Sequence, residues 1–371
     1  MKIVFAGGGT GGHIYPAVAI AKHIKEKNPN ADILFIGTER GLEAELVPKS
    51  GYRLETIVIR GLARDKILQQ LIPTFKELIM GTFESYQILK KFSPDMVIGT
   101  GGYVCGPVVL SAILLDIPNF IHEQNAIPGL TNRILSKLTG KVAVSFEETV
   151  EYFTNKKKIV ITGNPIRSEI LNASKQDAIK ILNINPNKKL VLAFGGSRGA
   201  GVINKSMVEV IKWNIEEMTD NQILLITGKD QYGIVIDELL RLGIDIQKHG
   251  NIIIKSYMYN MHHALAAADL IVSRAGALTV SEITAVGKPS ILIPLKIAAN
   301  DHQNFNALAL KNHGAAEIIQ EDDLDGKVLN EMINTLIEDD IRLNEMSENS
   351  IKLGKIDATD KIYNIIQELR K

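Results

Sequence analysis

At 371 residues the chain exceeds what one ordinary core encloses, so length alone favours two domains. A hydrophobic share of 45% with 23% charged residues excludes a disordered or fibrous chain, and 42 basic residues balanced by 42 acidic ones argue against a dedicated nucleic-acid binder. A single cysteine, Cys105, excludes an internal disulfide and fits a reducing compartment; the start lacks the apolar core of a signal peptide, no run reaches the ~18 residues of a membrane span, and a cytoplasmic protein is expected.

The first apolar strand runs into Gly7-Gly8-Gly9-Thr10-Gly11-Gly12-His13, where a helix should begin. The spacing of Gly7, Gly9 and Gly12 fits the dinucleotide fingerprint, and Gly7 to Gly12 fits the opening of a P-loop, but His13 stands where the P-loop lysine belongs. At a helix N-terminus the dipole disfavours imidazolium, so His13 is a candidate to accept a proton. Helical spacing over residues 16–27 precedes a buried strand at 32–36, and further short strands are expected at 54–59, 96–99, 119–121, 142–144 and 158–162. Continuously apolar runs alternating with helices predict a parallel sheet covered on both faces, an α/β domain over residues 1–163.

Gly163-Asn164-Pro165-Ile166-Arg167 marks the expected boundary, and the pattern restarts at 190–194 with a second glycine loop, Gly195-Gly196-Ser197-Arg198-Gly199-Ala200-Gly201. Strands are expected at 223–227, 252–255, 270–272 and 290–294. Two similar α/β domains facing across a cleft follow, the second over 164–356, with ligands at the carboxyl ends of the strands. Residues 357–371 form an amphipathic helix with Ile362, Ile365, Ile366 and Leu369 on one face.

Other stretches carry polar chemistry at strand ends. Gly99-Thr100-Gly101-Gly102-Tyr103-Val104-Cys105-Gly106-Pro107 is a further glycine loop, which alone reads equally as a plain strand-to-helix turn. In His122-Glu123-Gln124-Asn125 the carboxylate of Glu123 is either a general base, a group that orients a hydroxyl, or part of a solvated loop. Glu282, early in the helix that follows Ser273-Arg274-Ala275-Gly276, suits the two hydroxyls of a ribose or simple helix-end stabilisation. Asp301-His302-Gln303-Asn304 is another polar loop on that side. Around Ile67, Leu68, Leu71, Ile72, Phe75 and Ile79 lie Arg60, Arg64, Lys66 and Lys76, a basic and apolar combination suited either to an anionic membrane surface or to a core-facing helix interrupted by Pro73. No histidine spacing indicates zinc or another metal.

Taken together, these stretches resemble the bacterial glycosyltransferases that add N-acetylglucosamine to undecaprenyl-diphospho-N-acetylmuramoyl-pentapeptide (lipid I) and so make lipid II. The match rests on Gly8 to His13, Gly101 to Val104 with Gly106-Pro107, His122 to Asn125, Gly163 to Pro165 with Arg167, Gly195 to Ser197 with Gly199-Ala200, and Ser273 to Glu282, in the family's order. The resemblance implies a GT-B architecture of two Rossmann-like domains, the lipid acceptor on the first, UDP-N-acetylglucosamine mainly on the second, and a terminal helix returning to the first. It implies an inverting, metal-independent transfer needing no cofactor, with His13 or Glu123 as base, on the cytoplasmic face of the cell membrane. Carried over by motif, Thr10, Gly11, Gly12, Gly101, Gly102, Tyr103, Gln124 and Asn125 meet the acceptor. Thr10, Gly11, Gly12 and Asn125 also fall to the donor, with Arg167, Gly196, Ser197, Met258, Ala277, Leu278, Thr279, Glu282 and Gln303. At His302 some relatives have glutamine. The alternatives are a UDP-N-acetylglucosamine 2-epimerase, a GT-B transferase for another lipid, an NAD-dependent oxidoreductase using the first glycine loop with Glu39, and a non-catalytic sugar-nucleotide binder.

Overall fold

A strand buried on both faces needs apolar residues at every position, and the short apolar runs of this sequence meet that requirement in two parallel sheets. The computed structural model describes residues 1–59, 67–196, 199–298 and 301–370, and the side chains of residues 67–75 fall outside that description. Ser197, Arg60, Arg64, Lys66 and the side chains of Ile67, Leu68, Leu71, Ile72 and Phe75 therefore lie outside the described residues.

The chain divides into two compact units, Met1–Ile166 with Lys355–Lys371, and Arg167–Gly354. Unit 1 contains, in order, β1 (Lys2–Gly7), α1 (Gly11–Lys27), β2 (Asp32–Gly37), α2 (Glu43–Lys49), β3 (Arg53–Thr56), α3 (Ile67–Phe92), β4 (Met96–Gly101), α4 (Cys105–Leu114), β5 (Asn119–Glu123), α5 (Leu130–Leu135), β6 (Lys141–Val144) and β7 (Ile159–Ile161). Its seven strands pair in the order β3-β2-β1-β4-β5-β6-β7, all parallel. The order reverses beside β1: crossovers leave in opposite directions from β1 and β4, and their carboxyl ends open a crevice between the two turns. Both glycine loops of the unit sit there.

Unit 2 repeats the plan. It runs through α6 (Ser168–Leu171), α7 (Lys175–Leu182), β8 (Leu190–Phe194), α8 (Gly201–Glu216), β9 (Gln222–Ile226), α9 (Tyr232–Arg241), β10 (Ile252–Lys255), α10 (Met261–Ala267), β11 (Leu270–Ser273), α11 (Ala277–Ala285), β12 (Ser290–Leu292), α12 (His302–Lys311), β13 (Ala316–Ile318), α13 (Gly326–Glu338) and α14 (Asp340–Leu353). The strand order β10-β9-β8-β11-β12-β13 again reverses beside the first strand, between β8 and β11.

Most expected strands form within a residue or two of their sequence bounds, and the exceptions have physical causes. β3 is only Arg53–Thr56: the last bond to β2 is Ile57 N–H to Gly37 O at 3.0 Å, and the next amide, Val58 N–H, donates to Glu84 of α3 at 2.7 Å instead. β13 escapes a hydrophobicity reading because its centre is Glu317, paired with Arg342 and, at 3.6 Å, with Lys311. The basic and apolar segment is one helix that continues through Pro73 to Phe92.

The last helix, α15 (Ala358–Leu369), buries Ile362, Ile365 and Ile366 in one cluster with Ile14, Ala17, Ile20 and Ile24 of α1 and Phe5 and Phe35 of the sheet. At its start Asp360 meets His23 at 3.1 Å and Lys27 at 3.2 Å, and near its end Glu368 meets Lys141 at 2.9 Å. The apolar face supplies the attachment energy, since exposed ion pairs contribute little.

His122, fully buried near the end of β5, ties down the exit of unit 1. Its Nε2–H donates to Gly163 O at 3.1 Å, so Nδ1 is the lone-pair nitrogen and accepts from Gln124 Nε2 at 3.0 Å. Asn164 Nδ2 donates to Gln124 O at 3.0 Å. Burial pushes the imidazole down from 6.5 to about 4, only partly opposed by the bond to Gly163.

Two outcomes follow from this packing. Ile366→Ala, which empties part of a fully buried cluster, lowers the stability of unit 1 by roughly 2–5 kcal/mol in urea unfolding. The unfolded chain takes up a proton at His122 below about 6.5 while the folded one does not until about 4, so this residue makes stability fall as pH drops through that window. His122→Gln therefore shows a shallower loss of urea midpoint between pH 7 and pH 5 than the unaltered protein; equal losses count against a neutral buried ring.

Candidate active site

In unit 1 the site grows from the close approach of β1 and β4. Their register shifts after Ala6, pairing Gly7 with Gly101, and a Cβ at Gly7 would lie 2.1 Å from Thr100 Oγ1. Gly101 and Gly102 have φ of 102° and 80°, and a Cβ at Gly102 would lie 2.3 Å from Gly8 O, so only glycine lets the two turns touch. Thr10 is the extended N-cap of α1, and Gly11, Gly12 and His13 form its first turn.

The His13 ring stacks its edge against the Gly101-Gly102 turn, with Nδ1 3.0 Å from Gly8 O and 3.2 Å from Thr10 Oγ1. A carbonyl can only accept, so Nδ1 carries the proton and the neutral ring holds its lone pair on Nε2. That nitrogen lies toward Gly101, 3.2 Å from where a Cβ there would stand. Tyr103 places its ring edge over Gly9, 2.9 Å from the corresponding Cβ position.

Glu123, at the end of β5, is also buried, and four N–H groups surround its carboxylate. Asn125 N and Nδ2 reach Oε1 at 3.0 and 3.3 Å, while Gly129 N and Asn132 Nδ2 reach Oε2 at 3.0 and 2.8 Å. A carboxylate so engaged holds the turn from β5 to α5 in place. Gln124 reaches back to Thr100 O at 2.9 Å and so fastens this turn to the end of β4.

Two residues of this site gave no sequence signal. Glu43, the first residue of α2, is fully buried beneath the glycine loop and accepts from Gly9 N at 3.0 Å, Thr38 N at 3.1 Å and Thr38 Oγ1 at 2.7 Å. Asn132 is the other: its Nδ2 donates to Glu123 Oε2 at 2.8 Å and to His122 O at 3.3 Å.

In unit 2 the glycine loop after β8 carries Gly196 at φ 91° and Gly199 at φ 79°, the latter so close to Thr227 that a Cβ would lie 2.0 Å from its carbonyl oxygen. Asn204 Nδ2, one turn into α8, bonds the same carbonyl at 2.9 Å. Across the switch point Ala277, Leu278 and Thr279 form the first turn of α11, with Gly276 as N-cap. Glu282 follows one turn later, and Arg167, the N-cap of α6, donates through Nε and Nη2 to its Oε1 at 3.1 and 3.0 Å. Burial pushes the Glu282 carboxyl up and the Arg167 guanidinium pulls it back.

Arg274, in the middle of the motif, is an internal brace: Nη1 donates to Glu321 at 2.6 Å and to the carbonyls of Ile293 and Pro294 at 3.2 Å. Met258 is buried in the loop after β10, and Gln303, on α12, accepts Leu295 N through Oε1 at 3.0 Å. Among the described residues no group of three or more His, Cys, Asp and Glu side chains is placed to hold a metal ion.

Two family models cover the chain: the glycosyltransferase family 28 N-terminal domain over residues 3–144 and the family's C-terminal domain over residues 190–368. A UDP-N-acetylglucosamine--N-acetylmuramyl-(pentapeptide) pyrophosphoryl-undecaprenol N-acetylglucosamine transferase of Thermoanaerobacter sp. is 49% identical over 369 residues, covering all of both chains. The protein of the same name from Caldanaerobacter subterraneus subsp. tengcongensis is 47% identical, with the same coverage. The crystal structure of Acinetobacter baumannii MurG superposes with a TM-score of 0.79 at 30% identity over 99% of each chain. The two Rossmann-like units and these full-length likenesses agree: the chain belongs to glycosyltransferase family 28, among the UDP-N-acetylglucosamine--N-acetylmuramyl-(pentapeptide) pyrophosphoryl-undecaprenol N-acetylglucosamine transferases.

Proposed function

We propose that this glycosyltransferase moves N-acetylglucosamine from UDP-N-acetylglucosamine to the C4 hydroxyl of the N-acetylmuramoyl sugar of lipid I, making lipid II with inversion at C1. The observation that carries the chemistry is the 3.0 Å contact between His13 Nδ1 and Gly8 O: it assigns the proton to Nδ1, and the lone pair of Nε2 is then the basic site of the loop. The acceptor oxygen attacks C1 as the bond from C1 to the UDP oxygen breaks; the hydroxyl proton passes to Nε2, and the electron pair leaves with the diphosphate. Glu123 has its four N–H donors to hold, so we assign it to positioning the 124–129 turn rather than to proton transfer.

The lipid-linked diphosphate of the acceptor falls to the N-terminus of α1. Gly9 N–H already points to Glu43, so Gly11 and Gly12, with Gly101, Gly102 and Tyr103 of the facing turn, are the groups that meet it. Gln124 and Asn125 shape the acceptor side, and Thr10, Gly11, Gly12 and Asn125 keep their second assignment to the donor. On unit 2 the diphosphate of UDP takes the loop containing Gly196 and Ser197 and the start of α8, a metal-independent way to receive the leaving charge. Ala277, Leu278 and Thr279 offer first-turn backbone, Glu282 takes the ribose hydroxyls, Met258 presents backbone to uracil and Gln303 lies near the sugar. Both Arg167 bonds fall on Glu282 Oε1, so a ribose hydroxyl reaching Oε2 need not displace the arginine.

A peripheral site on the cytoplasmic face of the cell membrane fits the surface of α3. Ile79, Met80 and Phe83 are 55%, 51% and 61% exposed, and on α5, which like α3 packs on α4, Leu130 and Ile134 are exposed beside Arg133. The apolar residues would enter the headgroup region and the cations meet anionic lipid. Among the described residues no helix is long and apolar enough to cross a membrane.

Transfer from UDP-N-acetylglucosamine to a soluble lipid I analogue, with a β-linked disaccharide as product, is the deciding assay; donor turnover without acceptor would instead indicate an epimerase. In that assay His13→Ala lowers kcat by roughly 10²–10⁴-fold and removes the acid limb of the pH–rate profile, while donor binding stays intact. Glu123→Gln keeps that limb and loses stability or acceptor affinity; loss of the limb in this variant alone would transfer the base assignment to Glu123. Phe83→Ser combined with Ile79→Ser weakens recruitment to vesicles of anionic lipid without changing transfer to the soluble analogue. Undiminished recruitment would place the membrane contact elsewhere.

A further inference from the structure

We propose that Glu43 is a positioning residue for His13, acting through the single peptide group between Gly8 and Gly9. That peptide is bonded at both ends. Its N–H, on Gly9, donates to Glu43 Oε2 at 3.0 Å, and its C=O, on Gly8, accepts from His13 Nδ1 at 3.0 Å. The arrangement is a carboxylate and an imidazole joined by one amide, where a direct carboxylate–histidine pair would have no intermediary.

The carboxylate is built into this place. Three glycines make room for it: a Cβ at Gly8 would lie 2.6 Å from Oε1, one at Gly41 2.2 Å from Oε2, and one at Gly37 2.6 Å from Cγ. The side chain is fully buried, and among the described residues no lysine, arginine or histidine pairs with it. Among the described residues its charge is met by two backbone N–H groups and the Thr38 hydroxyl. Buried charge without a counter-ion polarises its hydrogen-bond partners strongly, because the local dielectric is low and successive bonds reinforce one another.

The polarisation has a definite direction. An N–H held by a carboxylate pushes electron density toward the carbonyl oxygen of the same amide, so Gly8 O becomes a stronger acceptor for Nδ1–H. This fixes the tautomer with the lone pair on Nε2 and stabilises the imidazolium that forms when Nε2 takes a proton. Among the other titratable side chains near His13 are Tyr103, whose ring lies over Gly9, His122, which is separated from the ring by Gln124, and Cys105, whose thiol bonds the Gly101 backbone and is pushed up to about 12 by burial. None of these three bonds to His13 among the described residues. Glu43 thus sets how strongly the imidazole attracts a proton without touching substrate.

This rests on the assignment of His13 as the base, and the experiment separates the two. Nitrogen-15 spectra of histidine-labelled unaltered protein are expected to show Nδ1 protonated and Nε2 bare in the neutral ring of His13; the opposite tautomer overturns the proposal without any variant. In Glu43→Gln, which keeps an acceptor for Gly9 N–H but loses the charge, the His13 titration midpoint moves down by about one pH unit. The acid limb of kcat/KM moves with it, kcat falls about tenfold, and the KM for UDP-N-acetylglucosamine is little changed. A folded variant whose His13 midpoint is unmoved overturns the relay, even if its rate falls. A moved midpoint together with full activity in His13→Ala leaves the relay standing and removes His13 from the chemistry.

Discussion

The approach of β1 to β4 constrains everything else in unit 1. Where a parallel sheet reverses its strand order, two crossovers leave the same edge in opposite directions, and the carboxyl ends of the two central strands must accommodate both turns at once. Side chains there would collide: Thr100 stands where a Cβ of Gly7 would be, and Gly8 O where a Cβ of Gly102 would be. Glycine solves the steric problem and thereby exposes backbone. The same residues that allow the turns to meet present a carbonyl to His13 and, in the proposed assignment, N–H groups to the acceptor's diphosphate, so a packing requirement shapes the site. Unit 2 meets the same requirement between β8 and β11, where Gly199 lies against Thr227.

This explains which parts were legible in the sequence. The switch points announce themselves because glycine clusters after apolar strands are dense enough to read, and three such loops, with Ser273-Arg274-Ala275-Gly276 as the fourth turn, mark both units. The strands are legible wherever both faces are covered, as in residues 190–194, which are buried throughout. They fade at two of the four sheet edges, where β3 alternates and β13 is centred on a charge, since an edge strand need not be a continuous apolar run. The terminal helix is legible from its face of Ile362, Ile365 and Ile366, whereas its partner helix α1 is not specified by period alone.

Carboxylates were the hardest residues to read, because sequence gives their position and not what surrounds them. At the end of β2 the sequence draws attention to Glu39, in the place of a ribose-binding acid, yet Glu39 is exposed and Glu43, four residues on, is the one buried beneath the loop. Only the three glycines that surround its side chain distinguish it, and one of those, Gly8, is far from it along the chain. Glu123 is the converse case. Its motif marks it as chemical, while Asn132, nine residues later, and the turn amides consume its acceptor capacity.

A buried acid whose oxygens accept from several fixed donors is committed to holding the backbone around it. In unit 1 both carboxylates near the glycine loops are of this kind: Glu43 supports the first turn from below and Glu123 fixes the turn after β5. Their charges are held by dipoles rather than by lysine or arginine, which keeps the region negative without adding a cation that would repel imidazolium. His13 keeps one ring nitrogen, Nε2, without a hydrogen bond among the described residues. Hydrogen-bond accounting is what favours His13 over Glu123 in the proposed assignment: the carboxylate has spent its acceptors on the fold, and the imidazole has spent only its proton.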